Sequence, residues 1–151
     1  AHAYTLRDDR VLDEFHVTDS KDNPVSEESY LNRLTGVLLS ILNNEVFPKV
    51  GREARPDILM KSLPVSVRPH PSAAHDVTAI EVVAPDRSGL LANLAGAVAD
   101  ARFVLRGANI STFGEKAVDV FFVTDNGGRK LNAEHTHRLL RALKTAAQLD
   151  A

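Results

Sequence analysis

The 151-residue chain has no cysteine, no tryptophan and a single methionine. Without cysteine there is no disulfide frame, no thiolate nucleophile and no cysteine-type zinc site. The same lack fits a cytoplasmic protein. No apolar run approaches the ~18 residues of a membrane span, and no signal peptide is visible. Neither sign of charge dominates: 18 Lys and Arg stand against 20 Asp and Glu, a formal net charge of −2. That balance removes any general electrostatic pull toward nucleic acid or an acidic membrane. The chain opens on Ala1 rather than Met, and it reads as a piece of a longer protein. With 44% hydrophobic and 25% charged residues it falls in the ordinary globular range. Its length suits one domain or two small ones with a useful core.

What the chain does have is a phrase written twice. "VLDEFHVTD" at 11–19 and "AVDVFFVTD" at 117–125 agree at Asp13/Asp119, Phe15/Phe121, Val17/Val123, Thr18/Thr124 and Asp19/Asp125. Allowing one skipped residue at a turn, the likeness extends backward through Thr5/Thr112 and Ala1/Ala108, which aligns His2 with Asn109. Each copy reads as strand, turn, strand: 1–7 and 10–18, then 108–113 and 116–124. Asp, Phe and Val of each phrase share one face. Seven residues after its final Asp, each copy reaches a helix cap, Ser26 or Asn132. The first helix carries Tyr30, Leu31, Leu34, Val37, Leu38, Ile41 and Leu42 at helical spacing, and the second carries Leu139, Leu140, Leu143 and Ala147. Between the copies, residues 46–76 hold Pro48, Pro56, Pro64, Pro69 and Pro71 and read as connector, with one short strand in "LPVSVRP".

Only the second copy has a full lead-in. Thr78–Ala84 alternates as a strand that Pro85 ends. Leu90, Leu91, Leu94, Ala95 and Val98 then recur at helical spacing, with Gly96 and several alanines letting the helix lie close on a sheet. The resulting order, strand–helix–strand–strand–helix, is that of an α+β ferredoxin-like (βαββαβ) sandwich short of its last strand. The first copy keeps strand–strand–helix and a last strand near 63–69 but lacks the opening strand and helix. The expected division is 1–70, a first domain truncated at its N-terminus, and 77–151, a second domain.

The segment "APDRSGLL" at 84–91 carries the most chemistry. A tight Asp86–Gly89 turn leads into a helix whose first N–H groups lack intrahelical partners. Those donors and the helix dipole favour a carboxylate. Asp86 answers an amino group, Arg87 an anionic one, and an α-amino acid bears both charges. The bland alternative is that Asp86 and Arg87 only cap the helix and pair with each other; the residues alone leave both open.

"DRSGLL" at 86–91, followed by "ANI" at 108–110, resembles the ligand loop of ACT domains. "STFGEKAVDVFFVTD" at 111–125 is similar to the strand phrase of the carboxyl-terminal ACT domains of bifunctional uridylyltransferase/uridylyl-removing enzymes, and the first copy resembles the second half of the preceding ACT domain there. The resemblance implies two ACT domains in tandem that sense glutamine and switch an enzyme between uridylylating and de-uridylylating the PII nitrogen-signalling protein. It implies a ligand site at Asp86, Arg87, Ser88, Gly89, Leu90, Leu91 and Asn109. Ser88 departs from the family's proline, which loosens the helix start, although Ser can cap it. Implied partners are the amino acid, the catalytic domains of the parent chain and, through them, PII; neither nucleic acid nor membrane is among them. Catalysis and its Mg2+ would belong to the parent, a nucleotidyltransferase with hydrolase activity, with no catalytic residue, cofactor or metal in this stretch.

Competing readings are weaker in the residues. An ACT-like pair without a ligand would be a pure association module. An acylphosphatase-type enzyme would need several loop N–H groups around a phosphate, and this loop is short with one glycine. An RRM-like nucleic-acid sheet conflicts with the charge and with the Asp-rich third strand. His135 and His137 stand two apart on a helix and do not chelate, and His70 and His75 lie in the connector. Asp119 reads as a hydrogen-bonding group, Asn109 outside the resemblance as a turn residue, and Tyr4, Phe15 and Phe47 as packing.

Where the first copy has Glu14 and His16, the second has Val120 and Phe122. With Val118 these make an apolar stripe on the sheet face that lacks helices, expected to pack against another domain or subunit. Phe122→Glu should change the association state or stability of the chain, read by light scattering and urea unfolding; unchanged values for both would remove that interface.

Overall fold

Period-two alternation is clearest in "KAVDVFFVT", and the strand it makes organises the sheet. The structure, a computed structural model, describes residues 2–5, 10–19, 21, 23–43, 63–71 and 76–148. Its elements are β1 (His2–Thr5), β2 (Val11–Glu14), α1 (Glu28–Leu42), β3 (Ser66–Pro69), β4 (Thr78–Pro85), α2 (Leu90–Asp100), β5 (Val104–Phe113), β6 (Lys116–Thr124) and α3 (Ala133–Gln148). They fall into two compact units, 1–14 with 51–151, and 15–50.

In the first unit six strands form one sheet in the order β2-β1-β5-β6-β4-β3, antiparallel at every pairing. β6 lies inside it, bonded to β4 along Thr78–Pro85 and to β5 along Val104–Phe113. β4 and β5 are therefore parallel with β6 between them, and α2 makes the crossover, the arrangement of a ferredoxin-like α+β domain. β3, from the Pro-rich connector, pairs antiparallel with β4 on the edge a fourth strand would take. On the far side β1 pairs with β5, joining His2 to Asn109 and Ala3 to Ala108.

α2 and α3 cover one face of the sheet. Ala117, Phe121 and Val123 of β6 point under them beside Ile80 and Val82 of β4, and meet Leu94, Val98, Leu139 and Leu143 from the helices. Burying each large aliphatic or aromatic side chain stabilises the fold by about 1.5–3 kcal/mol. Gly96, expected to allow close packing, faces open space, so the close approach rests on the alanines and Val98 instead. Thr78 Oγ1, buried, accepts the Leu131 amide at 2.9 Å and ties the loop before α3 to the start of β4. Asn132 caps α3 as its position predicts, its Oδ1 accepting the His135 amide at 2.8 Å.

The two copies of the phrase end in the same turn. Asp125 Oδ1 accepts the amides of Gly127 (2.8 Å) and Arg129 (2.9 Å), and Asp19 Oδ1 accepts those of Lys21 (2.7 Å) and Asn23 (3.0 Å). In both, the Asp amide also donates to the carbonyl four residues on. These backbone bonds hold both carboxyls below their ordinary range. Upstream the copies diverge. The strand expected over 10–18 is assigned only at Val11–Glu14, and Phe15 is 54% exposed where its counterpart Phe121 is 0%. β6 has a strand on each side, whereas among the described residues β2 pairs with β1 alone. In the second unit α1 has no buried residue, and its N-cap is Glu27 without a side-chain bond rather than Ser26. Phe47 and His75 lie outside the described residues.

α2 ends in a Schellman motif: Phe103 N donates to Val98 O (3.2 Å) and Arg102 N to Ala99 O (2.8 Å). The motif forces Arg102 to a φ of 59°, where a Cβ is strained. Arg102→Gly should raise unfolding stability by about 0.5–1 kcal/mol in urea titration; a loss would show that the arginine side chain outweighs the strain.

Candidate functional site

Pro85 ends β4 because it has no amide to continue the ladder, and the chain turns through Asp86, Arg87 and Ser88 into α2. Gly89 is the N-cap, at a φ of 79°, with no side-chain cap bond. The backbone makes this turn because glycine carries no Cβ. Leu90 N donates to Arg87 O and Asn93 N to Gly89 O. The Leu91 and Ala92 amides between them point out of the helix start, as at any helix N-terminus. Asp86 N donates to Glu115 O at 2.8 Å, which anchors the loop over the β5–β6 turn.

The two charged side chains of the loop do not pair with each other. Arg87 Nη2 donates to the Ala146 carbonyl at 3.0 Å, in the last turn of α3, where carbonyls have no helical partner. Its Nη1 is buried with no hydrogen-bond partner among the described residues. Leaving a buried charged donor unsatisfied costs more than 1–3 kcal/mol, roughly, so a ligand acceptor would be well received there. The Asp86 carboxylate is half-buried and makes no hydrogen bond among the described residues.

The other expected site residues distribute unevenly. Leu90 turns inward and is core, while Leu91 is largely exposed at the helix start beside Ser88. Asn109 is not at the loop. It sits in register with Val120, four residues along β5 from the Phe113–Lys116 pair that adjoins Pro85, about 13 Å along the strand. Its side chain is on the helix-free face with Val118, Val120 and Phe122, all half-buried. There it meets His2, whose Nδ1–H donates to Asn109 Oδ1 at 3.1 Å, and the His2 ring stacks on Tyr4. The two residues that align between the copies thus touch across the β1–β5 seam.

Asp119 stands closer to the loop than its place mid-strand suggests. It is 2% exposed, under the helices between Val82 and Ile110. Its one hydrogen bond among the described residues is a long one, from Ser111 N at 3.4 Å. Burial pushes its carboxyl up to about 6 against the opposing pull of the Ser111 bond, and the negative charge of Asp86 adds a smaller upward push. The signal for this in sequence is a carboxylate on the apolar face of a core strand. Among the described residues no group of three or more His, Asp or Glu is placed to hold a metal, and no helix is long and apolar enough to cross a membrane.

Residues 78–144 match the model of the ACT domain. The chain is 37% identical over 138 residues to the bifunctional uridylyltransferase/uridylyl-removing enzyme of Novosphingobium aromaticivorans, covering 89% of the chain and 15% of that protein. The enzymes of the same name from Ruegeria pomeroyi and Erythrobacter litoralis are 35% and 31% identical, covering 93% and 100% of the chain and 16% and 17% of theirs. The chain therefore spans about a sixth of the length of these relatives.

Well below its unfolded value of 3.8, Asp119 is protonated folded or unfolded and contributes nothing to pH dependence. Between its unfolded value of 3.8 and its folded value of about 6, the folded state binds the extra proton, so stability falls as pH rises. Above pH 6 the loss is complete, on the order of 2–3 kcal/mol. Urea titration at pH 4.5 and 7.5 should show this decline in the parent chain, and Asp119→Asn should flatten it; an equal slope in both would reassign the carboxyl.

Proposed function

The chain carries an ACT domain at residues 78–144, and from that premise we propose that it is an amino-acid-sensing regulatory module, with glutamine the first candidate ligand. The observation that carries the reading is a pair of adjacent, opposite groups in one loop that are unmatched among the described residues: the Asp86 carboxylate and the buried Arg87 Nη1. A free amino acid presents an ammonium and a carboxylate on one carbon, the complement of that pair. The Leu91 and Ala92 amides add donors for the carboxylate. Ser88, Gly89 and Leu91 would form the loop wall. Asn109 enters the site only through a partner or a ligand long enough to reach the β1–β5 seam.

Arg87 also offers a route for the signal. One nitrogen faces the proposed ligand and another holds the end of α3. A ligand carboxylate that draws the guanidinium shifts its bond to Ala146, so occupancy is felt at the helix terminus.

By homology the module would serve a cytoplasmic uridylyltransferase/uridylyl-removing enzyme acting on PII, as the second of two tandem ACT domains. The first would be the half-copy at 1–70, supported by the shared Asp turn. Mg2+ for such chemistry and the catalytic groups would belong to other parts of the parent enzyme. A ligand-free association module is the second reading, favoured by the half-exposed Val118, Val120 and Phe122 face.

Calorimetry against the twenty amino acids decides between them. Glutamine should give saturable heat, weakened at least about tenfold by Asp86→Ala. Silence toward every amino acid would leave the association reading.

A further inference from the structure

β3 is the last strand of the sheet, so one of its edges has no strand beside it among the described residues. His70 N donates to Ala79 O at 2.8 Å, which fixes the phase of the β3–β4 ladder. In an antiparallel pair the bonded residues alternate. His70, Arg68 and Ser66 therefore bond inward to β4, and Val67 and Val65 direct their amides and carbonyls outward.

Beside that edge, on the helix side of the sheet, lies an open cleft of about 430 Å³ between β3 and α3. It is lined by Val67, His137, Leu140, Arg141 and Lys144. Val67 and Leu140 form an apolar floor. The three basic side chains make no hydrogen bond or ion pair among the described residues. The cleft is on neither the Asp86–Gly89 loop nor the Asn109 face.

We propose that this edge and cleft form a docking surface for an extended acidic segment of a protein partner, added as a strand beside β3. Charge complementarity selects the occupant. His137, Arg141 and Lys144 rise along α3 in steps of about 6 and 4.5 Å. Alternate side chains of a strand are about 6.6 Å apart on one face. Asp or Glu at every second position of an added strand therefore meets one basic residue after another, while the strand backbone bonds Val67. Arg68 points to the opposite sheet face, where Glu81 already holds it at 2.7 Å. Pro69 has no amide and Pro64 precedes the strand, so the edge is short and a four- to six-residue match fills it. The surface is independent of the amino-acid site.

The probe is a fluorescein-labelled (Glu-Thr)4 peptide, with (Lys-Thr)4 as its counterpart, titrated with the whole chain at low salt and followed by fluorescence polarisation. (Glu-Thr)4 should bind and (Lys-Thr)4 should not. Arg141→Glu/Lys144→Glu, on the exposed helix face, should weaken binding at least about tenfold. Val67→Pro removes an amide that points away from β4, so the ladder survives and binding should fall by a similar factor; Val67→Ala, which keeps the amide, should bind nearly as the parent does. Circular dichroism checks each fold. Absence of binding, equal binding of both peptides, or loss on charge reversal without loss in Val67→Pro would overturn the proposal, the last by showing unspecific attraction in place of strand addition.

Discussion

The domain depends on one strand with neighbours on both sides. β6 is held by β4 and β5, and its alternation sends Ala117, Phe121 and Val123 under two helices. That burial decides everything built on it. α2 must cross over β6 to bring β5 into line, which places the start of α2, and so the Asp86–Gly89 loop, at the end of β4. α3 must return over the same face, which brings Ala146 within reach of Arg87. The contrast with the first copy makes the dependence visible. The same word, flanked on one side only among the described residues, is a four-residue strand followed by an exposed phenylalanine. Sequence likeness specifies which side chains alternate, and neighbours specify whether the alternation is buried.

Carrying Asp119 on that face has a cost that the rest of the core absorbs. A carboxyl at 2% exposure with one long bond loses hydration without full replacement. Asp86 adds like charge nearby, and Arg87 is turned to the helix end. The neighbourhood of the loop is thus electrostatically unfinished in two places, negative beneath and positive at Arg87 Nη1. Structures tend to keep such features where they serve binding rather than stability.

Much of this was readable beforehand where local chemistry rules. Period-two alternation located β6, Pro85 and the leucine spacing bounded β4 and α2, and Asn132 capped α3. The shared final Asp lies in turns whose backbone-to-carboxylate bonds follow one pattern in both copies. What lay beyond reading was pairing between distant segments. Nothing in "SVRP" says that it will stand beside β4, since a strand of four residues has no address of its own. Nothing in His2 says that it will reach Asn109, although the alignment put them at the same place in each copy. Small residues in a helix mark close packing only on its buried side, and Gly96 faces outward. In the site, the loop residues were legible as a motif. The Arg87–Ala146 bond was not, being a contact over 59 positions.

That bond gives the far end of the chain a hold on the loop. The carbonyl of Ala146 is in position only while the last turn of α3 stays wound. Whatever is attached behind Gln148, or removed from there, alters how firmly that turn is wound and therefore how firmly Arg87 is held. A tag or cut placed near residue 148 is then no neutral choice of boundary, for it loosens or tightens a guanidinium at the opposite end of the domain's sequence.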